Sequence, residues 1–292
     1  SRFKKVADFV RTPQGIALVG GGVALASSLL LLRRPSRLGI GVWLWTFKGA
    51  PEKTNMAAHV ARAKWARLNH IVGPKLSQGD HWMTDNQAPA PAYVAAMKEA
   101  GLKVLPWHYM ELASSLSPEQ EAQAFAQRYR WVEQQSGKTL DGCVINAEMI
   151  CLPGESGLGT VGDWEKQGNK AKAVAWYAEG MARFTSELRK HISKPIACST
   201  YARVDKHSGF PYTTFHQYGG NIFMPQSYWC ADQIAKGATD RGVKWWTTDA
   251  EVLWKAKLSG AGLNPSSFQF VPSPPAYVSP QHPNCVVRGD YA

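Results

Sequence analysis

Short apolar runs alternate with longer amphipathic stretches along most of this 292-residue chain, and this alternation constrains the fold more than any other feature. The runs begin roughly 30 to 50 residues apart, which is the spacing of repeated strand and helix units. Such repeats build a parallel sheet, either closed into a barrel or open with helices on both faces. The predicted strands are Ile40–Trp45, His70–Pro74, Lys103–His108, Gly142–Ala147, Pro195–Thr200, Ile222–Gln226 and Phe268–Val271.

The stretches between these runs carry the signals of helices. Ser117-Pro118-Glu119-Gln120 predicts a capping box with proline at the first helical position, and Gly137 predicts the end of that helix. Apolar residues at helical spacing predict the buried face of each helix. These stripes are Ala57, Ala61, Trp65 and Leu68; Val94 and Met97; Ala122, Phe125, Ala126 and Tyr129; Ala171, Val174, Ala178, Met181 and Leu188; and Ala250, Leu253, Trp254 and Leu258.

A nucleotide-binding loop would favour the open sheet, and residues 157–162 match the pattern G-x-G-x-x-G. That motif requires a tight turn from a strand into a helix, whereas this match lies about ten residues beyond its strand and opens no helix. A closed barrel is therefore favoured. The expected fold class is α/β, a TIM-type (β/α) barrel with an N-terminal hydrophobic helix.

Residues 15–32 form an uncharged apolar segment of 18 residues between Arg11 and the pair Arg33-Arg34. At roughly 1.5 Å per residue, a helix of this length just crosses the apolar core of a bilayer. We expect a transmembrane anchor, and the alternatives are a secretory signal peptide and a helix buried in a larger assembly. Pro35-Ser36-Arg37 separates this segment from the rest, so the predicted domains are residues 1–37 and residues 38–292.

The chain has a net charge of +11, and residues 1–37 contribute +6 of it. Because this excess flanks the apolar segment, it indicates a membrane or envelope surface rather than a nucleic acid as partner. Five cysteines without a C-x-x-C pair indicate neither a disulfide framework nor a zinc site, and no metal or cofactor is expected. Cys143 and Cys198 fall inside predicted strands, where we expect them to be buried.

The fourth predicted strand runs into Asn146-Ala147-Glu148. In barrels of this type the side chains at the carboxyl ends of the strands converge on one face, where active sites lie. Strand alternation places Asn146 and Glu148 on the same side, with Glu148 at the rim. A partly desolvated carboxyl group has a raised pKa and can protonate a leaving oxygen. Glu148 is therefore the candidate catalytic acid, and Asn146 is the second candidate catalytic residue. A structural ion pair of Glu148 with a neighbouring Lys or Arg is the alternative.

The run DGCVINAE at 141–148 resembles the fourth-strand signature of chitinase-like and lysozyme-like barrel glycosidases. The segments GVWLW at 41–45, LKVLPWHY at 102–109, the stretch 199–215 and FMPQSYW at 223–229 are similar to an uncharacterised bacterial and phage branch of that superfamily. The resemblance covers roughly residues 39–275. It implies a barrel fold and glycoside-hydrolase ancestry, with Glu148 matching the acid of the family.

This chain departs from the family pattern in two respects. Asn146 stands where the resemblance implies an aspartate, and glycosidases generally need two carboxyl groups. Only 17 residues follow Pro275, too few for a last helix and an eighth strand, so the barrel is expected to be open, completed by another chain or truncated. The candidates for the second carboxyl group, each following a predicted strand, are Asp80, Glu111 and Asp232.

Further polar and aromatic residues lie at or just past the predicted strand ends. There they can bind hydroxyl groups or the apolar faces of sugars, although His108 and His207 are equally expected as structural histidines. Trp82 lies in a loop on the same predicted face. The candidate substrate-binding residues are Lys75, His108, Gln226, Tyr228, Trp45, Trp107 and Trp229.

Two functions fit these patterns. The first is a glycoside hydrolase acting on a cell-envelope polysaccharide, with peptidoglycan as the expected substrate, Glu148 as general acid and the apolar helix as tether. The second is a catalytically inactive carbohydrate-binding or structural barrel of a virion, tail or envelope-spanning assembly, which Asn146 favours. The expected partners are a polysaccharide and, through residues 15–32, a membrane or large assembly, and no nucleic acid. The expected location is the cell envelope or a phage virion.

Overall fold

The structure is a computed structural model in which strands and helices alternate around one sheet. It describes residue 38 and residues 41–43, 56–112, 116–147, 170–202, 204–205, 210–226 and 248–272. The strands are β1 (Gly41–Trp43), β2 (His70–Gln78), β3 (His81–Trp82), β4 (Lys103–Tyr109), β5 (Cys143–Asn146), β6 (Ile196–Tyr201), β7 (Ile222–Gln226) and β8 (Gln269–Phe270). The helices are α1 (Met56–Trp65), α2 (Thr84–Gln87), α3 (Ala90–Glu99), α4 (Pro118–Ser136), α5 (Lys170–His191), α6 (Tyr212–Gln217) and α7 (Thr248–Gly260), followed by a 3₁₀ turn at Pro265–Ser267.

The sheet follows the order of the chain. Strands β1, β2, β4, β5, β6, β7 and β8 are hydrogen-bonded in that sequence, and every one of these pairs is parallel. The short β3 pairs antiparallel with the end of β2 and lies off this path. Each of the seven predicted strands is therefore present as a parallel strand. A parallel sheet in chain order with helical crossovers is the arrangement of a TIM-like fold.

The two ends of the sheet approach each other. Gln269 at the start of β8 donates from Nε2 to the backbone oxygen of Leu38, just before β1, at 3.1 Å. Leu38 and Val271 also belong to one apolar cluster with residues of β2, β4, β5, β6 and β7. Residues from both ends of the sheet thus meet inside a curved wall, as they do in a barrel. The prediction that an eighth unit is missing concerns residues beyond 272, which lie outside the described residues.

Alternation along each strand divides the apolar side chains into two clusters. The inner cluster fills the barrel interior and contains Val72, Leu105, Trp107, Tyr109, Val144, Ala197, Ile222, Met224 and Val271. The outer cluster lies between the strands and the helices and contains Ile71, Val104, Ile145, Cys198 and Phe223 from the strands. Consecutive strand residues therefore face opposite cores, and this rule decides which polar side chains can reach the interior.

The helices dock on the outer cluster largely through the predicted faces. Helix α4 begins with the predicted capping box, in which Ser117 accepts from the backbone of Gln120, and ends at Gly137 in the left-handed conformation. Its stripe is buried, as are Val94, Met97, Trp254 and Leu258 in α3 and α7. In α5, Met181 and Leu188 are fully buried, whereas Ala171 is exposed.

The predicted face of α1 is wrong. Trp65 is 86% exposed, and Ala57 and Ala61 are also exposed. Instead, His59 and Ala63 are buried, and Met56 and Val60 pack against the outer cluster. Two rows of apolar residues run along this helix, and alanines gain too little from burial to decide which row faces the sheet.

Cys143 and Cys198 are free thiols buried in β5 and β6, as predicted. Burial raises the pKa of Cys143 to about 12 and that of Cys198 further. Both thiols are consequently protonated packing groups.

Residues 1–37, with the apolar segment 15–32, lie outside the described residues, so the hydrophobic helix and the domain boundary stay predictions. Among the residues that are described, no helix is long and apolar enough to cross a bilayer.

Candidate functional site

The carboxyl ends of the parallel strands carry polar and aromatic side chains into the barrel interior. Asn146 is the last residue of β5 and Gln226 the last of β7, and Gln226 Nε2 donates to Asn146 Oδ1 at 2.9 Å. Strand β6 lies between β5 and β7 in the sheet, so this bond spans β6 through the interior. Asn146 is buried and Gln226 is half-buried. The structure therefore brings together two predicted site residues at the mouth of the barrel.

Lys75 occupies the interior beside this pair and is only 2% exposed. Its ammonium group lies 5.1 Å from the centre of the Trp107 ring and 5.2 Å from that of Tyr109, which are cation–π distances. Nζ also donates to Gln78 Oε1 at 2.7 Å. We call Lys75 with the rings of Trp107 and Tyr109 the lysine box. Tyr109 is in register with Asn146 on the neighbouring strand, so the lysine box lies next to the pair formed by Asn146 and Gln226.

The backbone is shaped to direct Lys75 inward. The register between β2 and β4 shifts on both sides of Lys75, between Val72 and Lys75 and again between Lys75 and Ser77. Irregularities of this kind change the direction of a side chain and recur beside active sites. The buried Asn86 then fixes this position, because its Nδ2 donates to the backbone oxygen of Lys75 at 2.8 Å.

Glu111 follows β4 and supplies a carboxylate at the mouth. Gln78 Nε2 donates to Glu111 Oε1 at 2.7 Å, so one amide bridges the ammonium group of Lys75 and this carboxylate. Glu111 and Gln78 are both half-buried. Glu111, one of the predicted candidates for a second carboxyl group, is therefore linked to the interior network.

Two interior donors near this network lack a hydrogen-bond acceptor among the described residues. One is the indole Nε1 of Trp43, whose ring packs edge-on against Trp107 at 5.3 Å between centroids. The other is the hydroxyl of Ser199, which alternates with the interior residue Ala197 and is in register with Asn146. Ser199 is completely buried. A buried donor without an acceptor lowers the stability of a folded protein by roughly 1 to 3 kcal/mol, so the Trp43 indole and the Ser199 hydroxyl are both destabilising.

The structure places His108 on the other side of β4, which corrects the prediction that it binds substrate. His108 is fully buried, and its ring is stacked between Phe125 of α4 and Phe184 of α5. Trp107 faces the interior, so its neighbour must face the helices. Trp107 itself lies inside the barrel but is fully buried, where it forms one wall of the lysine box.

His108 belongs to a buried network that resembles a catalytic triad in its distances. Nδ1 lies 2.8 Å from Ser77 Oγ, and Nε2 donates to Glu121 Oε1 at 2.8 Å. Glu121 also accepts from the backbone nitrogens of Glu111 and Leu112, at 2.9 and 3.0 Å. All three side chains are completely buried, so no substrate reaches this hydroxyl. The network instead fixes the turn after β4 to helix α4, and this turn carries Glu111.

The remaining predicted residues divide into two groups. Asp80 pairs with the exposed His81, and Trp82 packs edge-on against Trp131 of α4 with Arg128 over its ring, so Trp82 is held on the helix layer. The other candidates, Glu148, Trp45, Tyr228, Trp229, Asp232 and His207, lie outside the described residues. Ala147 is the last described residue before Glu148.

Three residues of the interior were missed from the sequence. Gln78 lies outside the predicted second strand, which ends at Pro74, whereas the strand in the structure continues to Gln78. Trp43 has the same parity as Trp45, and Ser199 the same parity as Ala197, so alternation within the runs at 41–45 and 196–201 is a signal that could have found both.

Within the described ranges, no group of three or more His, Cys, Asp or Glu residues is arranged to hold a metal ion. No family model matches the sequence, and no curated protein matches it. Among solved structures, a class V chitinase from Pseudomonas fluorescens Pf-5 matches with a TM-score of 0.42 and 12% identity, covering 67% of this chain. The chain spans 55% of that chitinase chain.

Proposed function

We propose that the mouth of the barrel binds a polysaccharide and hydrolyses a glycosidic bond. The observation that carries this proposal is the convergence of Asn146, Gln226, Gln78 and Glu111 beside aromatic rings at the carboxyl ends of four strands. Amides and carboxylates bind sugar hydroxyl groups, and aromatic rings cover the apolar faces of sugars. Glycoside hydrolysis needs such a binding surface together with carboxyl groups.

In the proposed mechanism Glu148 is the general acid. Its proton passes to the glycosidic oxygen as the bond to the anomeric carbon breaks, and a water molecule finally supplies the hydroxyl group of the new reducing end. Glu111 provides the second carboxyl group that retaining and inverting routes both require. Its backbone is fixed by Glu121 and its carboxylate by Gln78, so it is preorganised for either role.

The proposed substrate is a polysaccharide of the cell envelope, with peptidoglycan as the first candidate. The uncharged segment 15–32 with its basic flanks supports this choice, because such a segment suits a tether at a membrane or within an envelope-crossing assembly. A second function, binding without turnover in a virion or envelope assembly, is favoured by the amide at position 146, which cannot carry the charge of a carboxylate.

The full chain, incubated with purified peptidoglycan, is expected to release reducing ends, and cellulose serves as the neutral comparison polymer. Glu148→Gln should lower the rate by about 10²-fold or more, and Glu111→Gln should do the same, because each removes a reacting carboxyl group. The matched control is Glu99→Gln, which changes an exposed carboxylate at the end of α3, near the start of β4.

The outcomes separate the two functions. Unchanged release by Glu148→Gln removes Glu148 from the mechanism. Tight binding of peptidoglycan without any release by the wild-type chain supports the binding function instead.

A further inference from the structure

We infer that the contact between Leu112 and Gly180 of helix α5 positions the carboxylate of Glu111 at the mouth of the barrel. Leu112 and Gly180 are thus positioning residues, which act on the reaction through Glu111. This inference rests on the proposed function, because Glu111 is the second carboxyl group of that mechanism. It starts from two residues that touch each other and that are each locally unfavourable where they stand.

The first of these residues is Leu112, in the turn after β4. Its φ is 58°, in the left-handed region that residues with a Cβ atom rarely adopt. Leucine has no polar side-chain atom that could stabilise this conformation locally, as asparagine or aspartate has. The surroundings hold it instead: the backbone nitrogen of Leu112 donates to Glu121 Oε2 at 3.0 Å, and its side chain is buried in the outer cluster. Strained residues of this kind cluster at functional sites.

The second residue is Gly180, in the interior of α5. Glycine weakens the interior of a helix relative to alanine, so a glycine here needs a separate reason. The reason is space. A Cβ atom at Gly180 would lie 2.9 Å from Leu112 Cδ1, whereas non-bonded carbon atoms pack at roughly 3.5 to 4.0 Å. The three atoms nearest to that Cβ position all belong to Leu112, so this leucine is the neighbour that requires the glycine.

The contact reaches the carboxylate through the backbone of the turn. Met110 and Leu112 lie on either side of Glu111, and both are buried in the outer cluster. The side chain of Glu111 is half-buried, and its carboxylate lies at the mouth. The backbone nitrogen of Met110 donates to the backbone oxygen of Asn146 at 2.9 Å, which joins the turn to β5. Because the turn is anchored at Met110, a displacement of Leu112 moves the residue between them.

Gly180→Ala tests this coupling. To reach ordinary contact with the added methyl group, Leu112 has to move by about half an ångström or more. Catalysis is sensitive to such shifts, since a misplacement of about 1 Å can lower a rate on the order of 10²-fold. We expect kcat for release of reducing ends from soluble glycan strands of peptidoglycan to fall about tenfold. KM should change little, because Asn146 and Gln226 are not displaced.

The matched control is Gly260→Ala. Gly260 is the last residue of α7, and a Cβ atom there would meet no atom within 4 Å. This variant should keep the kcat of the wild type. Melting curves followed by circular dichroism establish that each variant is folded at the temperature of the assay.

Leu112→Ala changes the contact from the other side. It removes the atoms that meet the methyl group of Gly180→Ala, so the double variant should turn over several-fold faster than Gly180→Ala alone. Two substitutions that were each merely destabilising would instead lower the activity further when combined.

The side-chain amide of Gln78 provides a measurement that needs no turnover, because its Nε2 donates to Glu111 Oε1 at 2.7 Å. Gly180→Ala should shift the NMR signal of this amide, and Gly260→Ala should leave the signal unchanged. If Gly180→Ala does not fold, Leu112→Ala provides the same two comparisons, since loss of its side chain also releases the turn.

The outcomes are distinct. Wild-type kcat in folded Gly180→Ala, an unshifted Gln78 signal, or a double variant slower than Gly180→Ala would overturn the inference. If the wild-type chain releases no reducing ends, the proposed hydrolysis fails, and the Gln78 signal alone then decides whether Leu112 and Gly180 position Glu111.

Discussion

His70 and His216, which lie away from the mouth, both have a lowered pKa. Burial and, to a smaller extent, the charge of Lys103 together lower the pKa of His70 to about 4. Burial also lowers the pKa of His216 to about 4, against a smaller opposite effect of the hydrogen bond to Gly220. The His216 ring is surrounded by aromatic residues such as Trp254 and Phe268. Both histidines are therefore neutral in the folded protein at pH 7.

These pKa values predict how stability depends on pH. Between the unfolded pKa of 6.5 and the folded pKa of about 4, the unfolded chain binds protons that the folded chain does not. The free energy of unfolding should therefore fall as the pH is lowered from 6.5 towards 4, by on the order of 2 to 3 kcal/mol for each histidine. Above pH 6.5 these two groups should contribute no change.

Urea denaturation at several pH values measures this effect. His216→Gln should make the decrease between pH 6.5 and 4 clearly smaller than in the wild type. His81→Gln, at an exposed position, should leave it unchanged. An identical pH dependence in His216→Gln and wild type would contradict the lowered pKa of His216.

At the scale of elements, helix α4 secures the site from outside the barrel. Its Glu121 accepts from His108 of β4 and from two backbone nitrogens of the following turn, so one buried carboxylate joins a strand, a helix and the segment that carries Glu111. His108 is itself held between Phe125 and Phe184, one from each of two neighbouring helices. The position of Glu111 at the mouth thus depends on the docking of α4.

Glu121→Gln is accordingly expected to destabilise the protein by about 3 kcal/mol. The amide presents a donor where three donors already converge, and breaking a buried charged network leaves groups unpaired. The control is Glu119→Gln in the same helix, where a partly exposed pair with Arg183 should be worth less than about 1 kcal/mol. Denaturant titration measures both variants. A Glu121→Gln protein as stable as the control would show that this network does not hold the turn.

At the scale of the whole molecule, the sheet could be predicted from the sequence because parallel strands are buried on both faces and appear as continuous apolar runs. The interior pair Asn146 and Gln226 could be predicted for the same reason, since each ends such a run. The full length of β2 does not follow from the sequence, because a proline followed by polar residues resembles a loop. The register shifts at Lys75 follow from contacts with β4 rather than from local sequence.

The face of the strand on which His108 lies follows from the sequence. Consecutive strand residues face opposite sides, so His108 and Trp107 cannot both point into the barrel. In contrast, the unpaired donors of Trp43 and Ser199 could not be predicted, because hydrogen-bond satisfaction depends on the neighbouring strands. Polar residues in strands therefore indicate where a site lies, and only their three-dimensional neighbours show how the site is connected.

NMR titration of the full chain with soluble muropeptides shows whether the mouth of the barrel is the carbohydrate site. The side-chain amide signals of Asn146 and Gln226 should shift in a saturable manner, because these groups line the mouth. The backbone signals of Glu99 and Lys138, which form an ion pair at the opposite end of the strands, should not shift. Saturable shifts elsewhere that leave both Asn146 and Gln226 unchanged would show that the carbohydrate binds away from the mouth.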